Sequence, residues 1–430
     1  METNQNPAEE PKSFFQSNTA KMIMVGFLTL VLLIPLAFVS ELINERNQRH
    51  LDVISETTSK WGEDITIYGP IIKVPYYDST QKKYLYAYFF PNELTNESNS
   101  KMEPPLERSI YKSNVFSTQM KMTGKFGDAD FSKMAISESN IYWDKARIIM
   151  ATNSLKGLKE ETKITIAGKT LTFEPNSNGD DSDIIETGFL NFQEIAKNQS
   201  FAVSMTINGS NRINIIPIGK TSTITMKSDW NSPSFGGFQS PVTRKVANDG
   251  FTATWKVLHF NRSFAQEHFG KLPNLEQYGC QTEFITPVDE YQQNERAAKY
   301  GFLVIGLTFL IFFLIQAISK ISIHIFQYTM IGIALVMFYT LLISITEHSS
   351  FTTAYLIAGT SVVAMITLYS VSILKDRKFP IFIGAALTLL YSFIYVIIQL
   401  EDYALLVGSI GLFLILAAVM YFSRKIEWNK

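Results

Sequence analysis

Six stretches of eighteen or more predominantly apolar residues stand out along the chain: 22–40, 301–318, 325–345, 354–374, 379–398 and 404–422. Each is long enough to cross the ~30 Å hydrocarbon core of a bilayer as a helix. The first, MIMVGFLTLVLLIPLAFVS, exceeds the roughly 7–15 apolar residues of a secretory signal, and no small-x-small cleavage site closes it. It therefore predicts an uncleaved anchor. Pro35 inside it predicts a kink of the kind membrane helices tolerate.

The 260 residues between the first two runs follow another pattern. Apolar and polar positions alternate with period two in ITIYGPIIKVPYY (65–77), KYLYAYFF (83–90), KITIAGKTLTFEP (163–175), the stretch 201–230 and FTATWKV (251–257), which predicts strands. Gly69-Pro70, Ala167-Gly168-Lys169 and Asn208-Gly209-Ser210-Asn211 predict turns, and 201–230 reads as two or three adjoining hairpin strands. Helix is expected at 41–61 and 288–300, as short stalks continuing from the first span and into the second. Shorter helical pieces are expected at 188–198 and 261–270, and PNSNGDDSD (175–183) reads as a surface loop. The layout is a tail (1–21), an anchor (22–40), a β-rich domain (41–300), a five-helix bundle (301–422) and a second tail (423–430). The fold class is a membrane protein: an α-helical bundle of six spans with a large β-rich (α+β) domain inserted between spans one and two.

Charge sharpens this division. Residues 41–300 hold 29 of the 38 Lys and Arg and 31 of the 39 Asp and Glu, whereas the last 130 residues hold 7 and 5. The mean hydropathy of +0.07 averages over a water-facing and a lipid-facing block. The short segments after even-numbered spans hold Lys320; Lys375, Arg377 and Lys378; and Arg424, Lys425 and Lys430. The loops 346–353 and 399–403 hold no basic residue. By the positive-inside rule both termini are expected in the cytoplasm and 41–300 on the opposite side of the membrane, with Tyr300, Tyr403 and Trp428 at the interfaces. A net charge of −1 supplies no basic patch for nucleic acid. Cys280 is the single cysteine, so an intramolecular disulfide is excluded. The bilayer is the expected partner.

Candidate chemistry is sparse. The five histidines fall at no metal-ligand spacing, and no HExxH, Walker, GxSxG or strand-linked GxGxxG motif occurs, so no catalytic residue, metal or cofactor is expected. Glu347-His348 lies between two apolar runs, where an acid and an imidazole can relay protons or hold a metal. Neighbouring helix positions point about 100° apart, however, so the pair reads first as a polar turn at the membrane edge. Asp229, Trp230, Pro233 and Phe235 in DWNSPSF offer an aromatic–acid recognition surface, or a structural cap over a core. Asp289 and Tyr291 in TPVDEY stand at the entrance to span two, with Thr286 or Asp289 a candidate helix cap.

Several strings resemble the CreD family of bacterial inner-membrane proteins: YGPIIKVPY (68–76), KSDWNSPSFGGF (227–238), TPVDEYQQNERAAKYGFL (286–303), QYTMIGIALVMFYTLLISITEHSSFTTAYLIA (327–358) and YFSRKIEWNK (421–430). The resemblance implies an integral inner-membrane protein linked to envelope integrity, tolerance to some colicins and the response to cell-wall-active beta-lactams. It implies envelope or cell-wall proteins as candidate partners and no catalytic residues. The expected role is non-enzymatic binding or sensing by the periplasmic domain. The alternative is a transporter or lipid-handling protein, which buried polar residues around a cavity among the five helices would favour.

Overall fold

Mutual packing of the apolar runs explains the helical part of the computed structural model. The structure describes residues 18–132, 134, 136–176, 183–192, 199–285, 290–319, 321–374, 378–400 and 403–424. Among them the helices are α1 (Asn18–Thr58), α2 (Glu290–Lys299), α3 (Gly301–Ser319), α4 (Ile325–Thr346), α5 (Phe351–Ile373), α6 (Lys378–Gln399) and α7 (Ala404–Ser423). Six of these, all but α2, are long and apolar enough to cross a membrane. Two compact units result: one comprises residues up to His50 together with Val288–Lys430, the other Leu51–Pro287.

In the helical unit, Leu32, Leu36, Val39 and Ile43 of α1 join a core with Phe309 and Phe312 of α3, Leu335 and Tyr339 of α4, Ala354 of α5 and Leu387 of α6. Gly332 of α4 leaves the room that Leu32 and Phe309 fill. Polar residues start the helices that need a donor satisfied. His324 Nδ1 accepts from the Phe326 N–H at 3.2 Å, Gln327 accepts from the His324 N–H at 2.9 Å, and Ser350 caps α5. The expected stalk at 288–300 is a helix from Glu290, but it packs rather than projecting. Asn294, Ala297 and Ala298 are buried, because small side chains at helical spacing let α2 lie against its neighbours.

The other unit is built from strands: β1 (Ile65–Asp78), β2 (Lys83–Phe89), β3 (Pro91–Met102), β4 (Leu106–Arg108), β5 (Tyr111–Ser113), β6 (Val115–Phe126), β7 (Arg147–Thr152), β8 (Lys163–Ile166) and β9 (Lys169–Pro175). The series continues with β10 (Ile184–Thr187), β11 (Ser200–Ser210), β12 (Arg212–Ile215), β13 (Thr221–Ser228), β14 (Pro233–Gly237), β15 (Thr243–Ala247), β16 (Gly250–Leu258), β17 (Glu267–Phe269) and β18 (Cys280–Phe284). Fourteen follow the order β14-β18-β12-β1-β7-β10-β9-β8-β11-β6-β3-β13-β16-β15, β2 and β17 attach beside β1, and β4-β5 form a separate pair. Most pairings are antiparallel, but β1–β12 and β3–β13 run parallel. One core gathers the inward rows, including Ile65, Ile67, Ile71, Val74, Phe116, Ile207, Ile224 and Trp255.

Alternation located β1, β2, β8, β9 and β16, and the β8–β9 hairpin turns at Ala167 and Gly168, both at positive φ. Three expectations need correction. The stretch 201–230 is not a run of adjoining hairpins. β11 pairs with β6 and β8, β12 with β1 and β18, and β13 with β3 and β16, so each buries its apolar row beside a distant strand. Residues 261–270 form no helix: a single 3-10 turn at His259–Asn261 gives way to β17, which pairs with β2. The buried Arg262 holds this segment by donating to the carbonyls of Phe264, Ile218 and Gly219. Gly69-Pro70 is an irregularity within β1, where the register shifts, rather than a turn. The expected loop and helix at 175–183 and 188–198 lie largely outside the described residues.

Candidate functional site

Glu347 closes α4, its N–H donating to the Ile343 carbonyl at 3.2 Å, and His348 follows in the turn. Their side chains diverge. The Glu347 carboxylate faces Arg46 of α1 at 3.6 Å and is 16% exposed, whereas His348 is exposed. The two do not converge on one reacting atom.

Other residues do converge at that end of the helical unit. His50 of α1 stacks on Tyr291 of α2, ring centroids 4.9 Å apart. One turn on, Asn294 is fully buried; its Nδ2 donates to the Glu290 carbonyl at 2.8 Å and its Oδ1 accepts from the Thr346 hydroxyl at 3.5 Å. That hydroxyl also donates to the Leu342 carbonyl at 2.7 Å. Arg46, His50, Tyr291, Asn294, Thr346 and Glu347 thus tie three helices together. The sequence pointed to Tyr291 and Glu347 but not to Arg46, His50 or Asn294. The one local signal was a lone Asn at helical spacing from Ala297 and Ala298.

The DWNSPSF segment staples strand ends. Asp229 Oδ1 accepts from the Met102 N–H at 2.9 Å, and Trp230 Nε1 donates to the carbonyls of Ser232 (3.1 Å) and Ile285 (3.2 Å). Pro233 opens β14 opposite Phe284, and Phe235 packs edge-on against Phe251 and Trp255. Asp229 is itself exposed, and Trp230, Pro233 and Phe235 are half-buried. Asp289 and the alternative cap Thr286 lie outside the described residues, as does Trp428.

A polar cleft of about 520 Å³ on the β-rich unit was not foreseen. β11, β6, β3 and β13 are neighbours whose registers line up two cross-strand rows, Ser204–Lys121–Glu97–Thr225 and Thr206–Gln119–Asn99–Lys227. Glu160 completes the lining, within 3.4 Å of the Thr206 hydroxyl. The opposite face of β6, β11 and β13 carries Met120, Val203, Ile224 and Met226 into the core, which holds the polar rows outward. The signal was the alternation in VFSTQMKMTGKF (115–126), weakened by methionine and threonine.

Among the described residues no three His, Cys, Asp or Glu side chains cluster as metal ligands. Among the described residues of the helical unit the buried polar side chains are Asn294, Thr308, Gln316, Thr346 and Ser370 together with the hydroxyl-bearing Tyr328, Tyr339, Tyr355 and Tyr391, and no Asp, Glu, Lys, Arg or His is buried there. Gln316 accepts from the Tyr328 hydroxyl at 3.0 Å. Of two grooves among the helices, one of about 860 Å³ is lined by apolar side chains and Lys378, whereas the other, of about 630 Å³, carries the hydroxyl-bearing Tyr355, Thr360, Thr367, Thr388, Tyr391, Ser392 and Tyr395 among Leu, Val and Ala side chains.

Six apolar helices, one near the N-terminus and five in the C-terminal region with a large β-rich domain between them in the chain, define a multi-pass membrane protein. The family model described as Inner membrane protein CreD matches residues 17–429, and the chain belongs to that family. It is 28% identical over 428 residues to Inner membrane protein CreD of Escherichia coli (strain K12), covering 95% of this chain and 93% of that protein. Localisation in the inner membrane follows from the family and the helices. A solved Legionella pneumophila structure described as a nutrient binding protein is similar at 7% identity and a TM-score of 0.26 over 52% of this chain and 77% of that one.

Proposed function

We propose that the chain is a non-enzymatic binding and sensing protein of the cell envelope, with its β-rich domain periplasmic and both termini cytoplasmic. The polar cleft carries this reading. Hydroxyls, amides, two lysines and two glutamates stand on adjoining strands over a rigid core. That lining suits a hydroxyl- and amide-rich polymer such as cell-wall glycan and its peptide, which is recognised by many directional hydrogen bonds rather than by apolar burial. The orientation rests on seven basic residues in the segments after even-numbered spans against none in the intervening loops. Envelope integrity, colicin tolerance and the beta-lactam response, implied by the resemblance to the family, are roles in which such a domain reports on the wall.

The test is photo-crosslinking from position 119 of the full-length protein in living cells, with position 271, outside the cleft, as control. Wall glycan or muropeptide adducts at 119, absent at 271 and lost in Lys121→Glu/Lys227→Glu, are expected. Equal labelling at both positions, or phospholipid alone, overturns the reading.

A further inference from the structure

The larger groove in the helical unit has a length and a charge that point to its occupant. It lies between α3, α6 and α7 and holds about 860 Å³, within the roughly 300–1,000 Å³ of pockets that enclose small molecules. Its side chains, among them Leu314, Phe382, Ala386 and Ala418, are apolar, with one charged exception, Lys378.

The lining runs from Ile318 to Leu307 on α3, from Lys378 to Phe393 on α6 and from Val419 to Val407 on α7. At ~1.5 Å per helical residue these are about 17, 23 and 18 Å. Each stops short of the ~30 Å core of a bilayer and exceeds the ~15 Å of one leaflet. A helix of a second copy would cross both leaflets; an acyl chain reaches about one. Lys378 opens α6, so the one charge among the described lining residues stands at one end, where the chain meets the headgroup region. The antiparallel register that sets Gly408 against Ile397 and Gly411 against Phe393 brings Arg424 level with the start of α6.

We propose that this groove is a phospholipid site, selective for an anionic headgroup, with an acyl chain between α3, α6 and α7 and the phosphate toward Lys378 and Arg424. Basic residues at the ends of membrane helices recognise acidic headgroups through such charge complementarity. The lipid supplies the packing that α7 lacks, since none of its residues with described burial is buried in the protein.

Native mass spectrometry of the full chain in detergent, titrated with phosphatidylglycerol or phosphatidylcholine, tests this. One phosphatidylglycerol per chain is expected to be retained, at least 10-fold more tightly than phosphatidylcholine. Ala418→Trp and Leu314→Trp, filling the groove from opposite walls, should each weaken retention more than 10-fold. Leu416→Trp, outside the lining, should not. Lys378→Gln should bring phosphatidylglycerol down to the level of phosphatidylcholine. Equal retention of both lipids by the unaltered chain, or undiminished retention in both tryptophan variants with unchanged melting temperatures, overturns the proposal. So does a dimer mass that disappears in those variants, which assigns the groove to a second copy.

Discussion

Glu186 is a buried carboxylate serving two cations, Arg147 and, at 3.4 Å, Lys73. Those cations are cross-strand partners on β7 and β1, and each lies over a ring: Lys73 4.4 Å from the Tyr86 centroid, Arg147 4.2 Å from that of Phe189. Glu186→Gln leaves two like charges side by side, and a cost below the ~3–5 kcal/mol of a fully buried set is expected, because Arg147 keeps 30% of its side chain exposed. Thermal unfolding of the full chain in detergent measures it. Burial holds His268 below its usual value of 6.5, with the Arg262 charge adding to the effect and the hydrogen bond to the Ala265 carbonyl opposing it. The folded state therefore binds fewer protons there than the unfolded state. The stability present above about pH 6.5 is lost as pH falls below it. His268→Asn should reduce the loss of melting temperature between pH 7.5 and 5.5. Cys280 is fully buried, and burial pushes its thiol up to about 12. It should resist maleimide in the folded chain and react on unfolding.

At the scale of elements, α7 is held to α6 through two glycines. Gly408 lies against Ile397, and Gly411 receives the Phe393 ring. Gly411→Leu would occupy the place of that ring and push the helices apart, so disulfide trapping of a Gly408→Cys/Ile397→Cys pair should fall several-fold. The spans were legible because a bilayer demands long apolar runs, whatever the tertiary packing. Strands were legible where one face is apolar, as in β1 and β16. β3, by contrast, reads PNELTNESNSKM, polar on both faces. Its inward row of Asn96, Ser98 and Ser100 is buried and partly satisfied from within, Ser98 donating to Asn96 Oδ1 at 2.6 Å and Ser100 bonding Thr118 at 2.9 Å. Periodicity cannot reveal such a strand. Nor can it show that β12 and β13, six residues apart in sequence, belong to different neighbours. The candidate sites share that difficulty: Asn294 and Thr346, or Lys121 and Lys227, meet only through tertiary register. Glu347-His348 was legible as a turn, while the arginine that Glu347 faces lies some 300 residues earlier.

For the whole molecule, the charge asymmetry makes a direct prediction. In intact spheroplasts Asn99→Cys should react with an impermeant thiol reagent, and Ser423→Cys only after permeabilisation, with buried Cys280 giving little background. The inverse pattern would reverse the proposed orientation. The parallel pairing of β1 with β12 sets a further condition, one of timing during synthesis. Ile65 must wait for Ile213. At ~5–20 residues per second, the roughly 150 intervening residues take about 7–30 s to emerge. Through that interval an isoleucine-rich edge stands open to wrong partners. β14 waits in the same way for β18, which is made near the end of the inserted segment. In the proposed orientation these edges complete their pairing only after translocation. A chain truncated before β12 should be cleared by proteolysis rather than accumulate as a smaller folded domain.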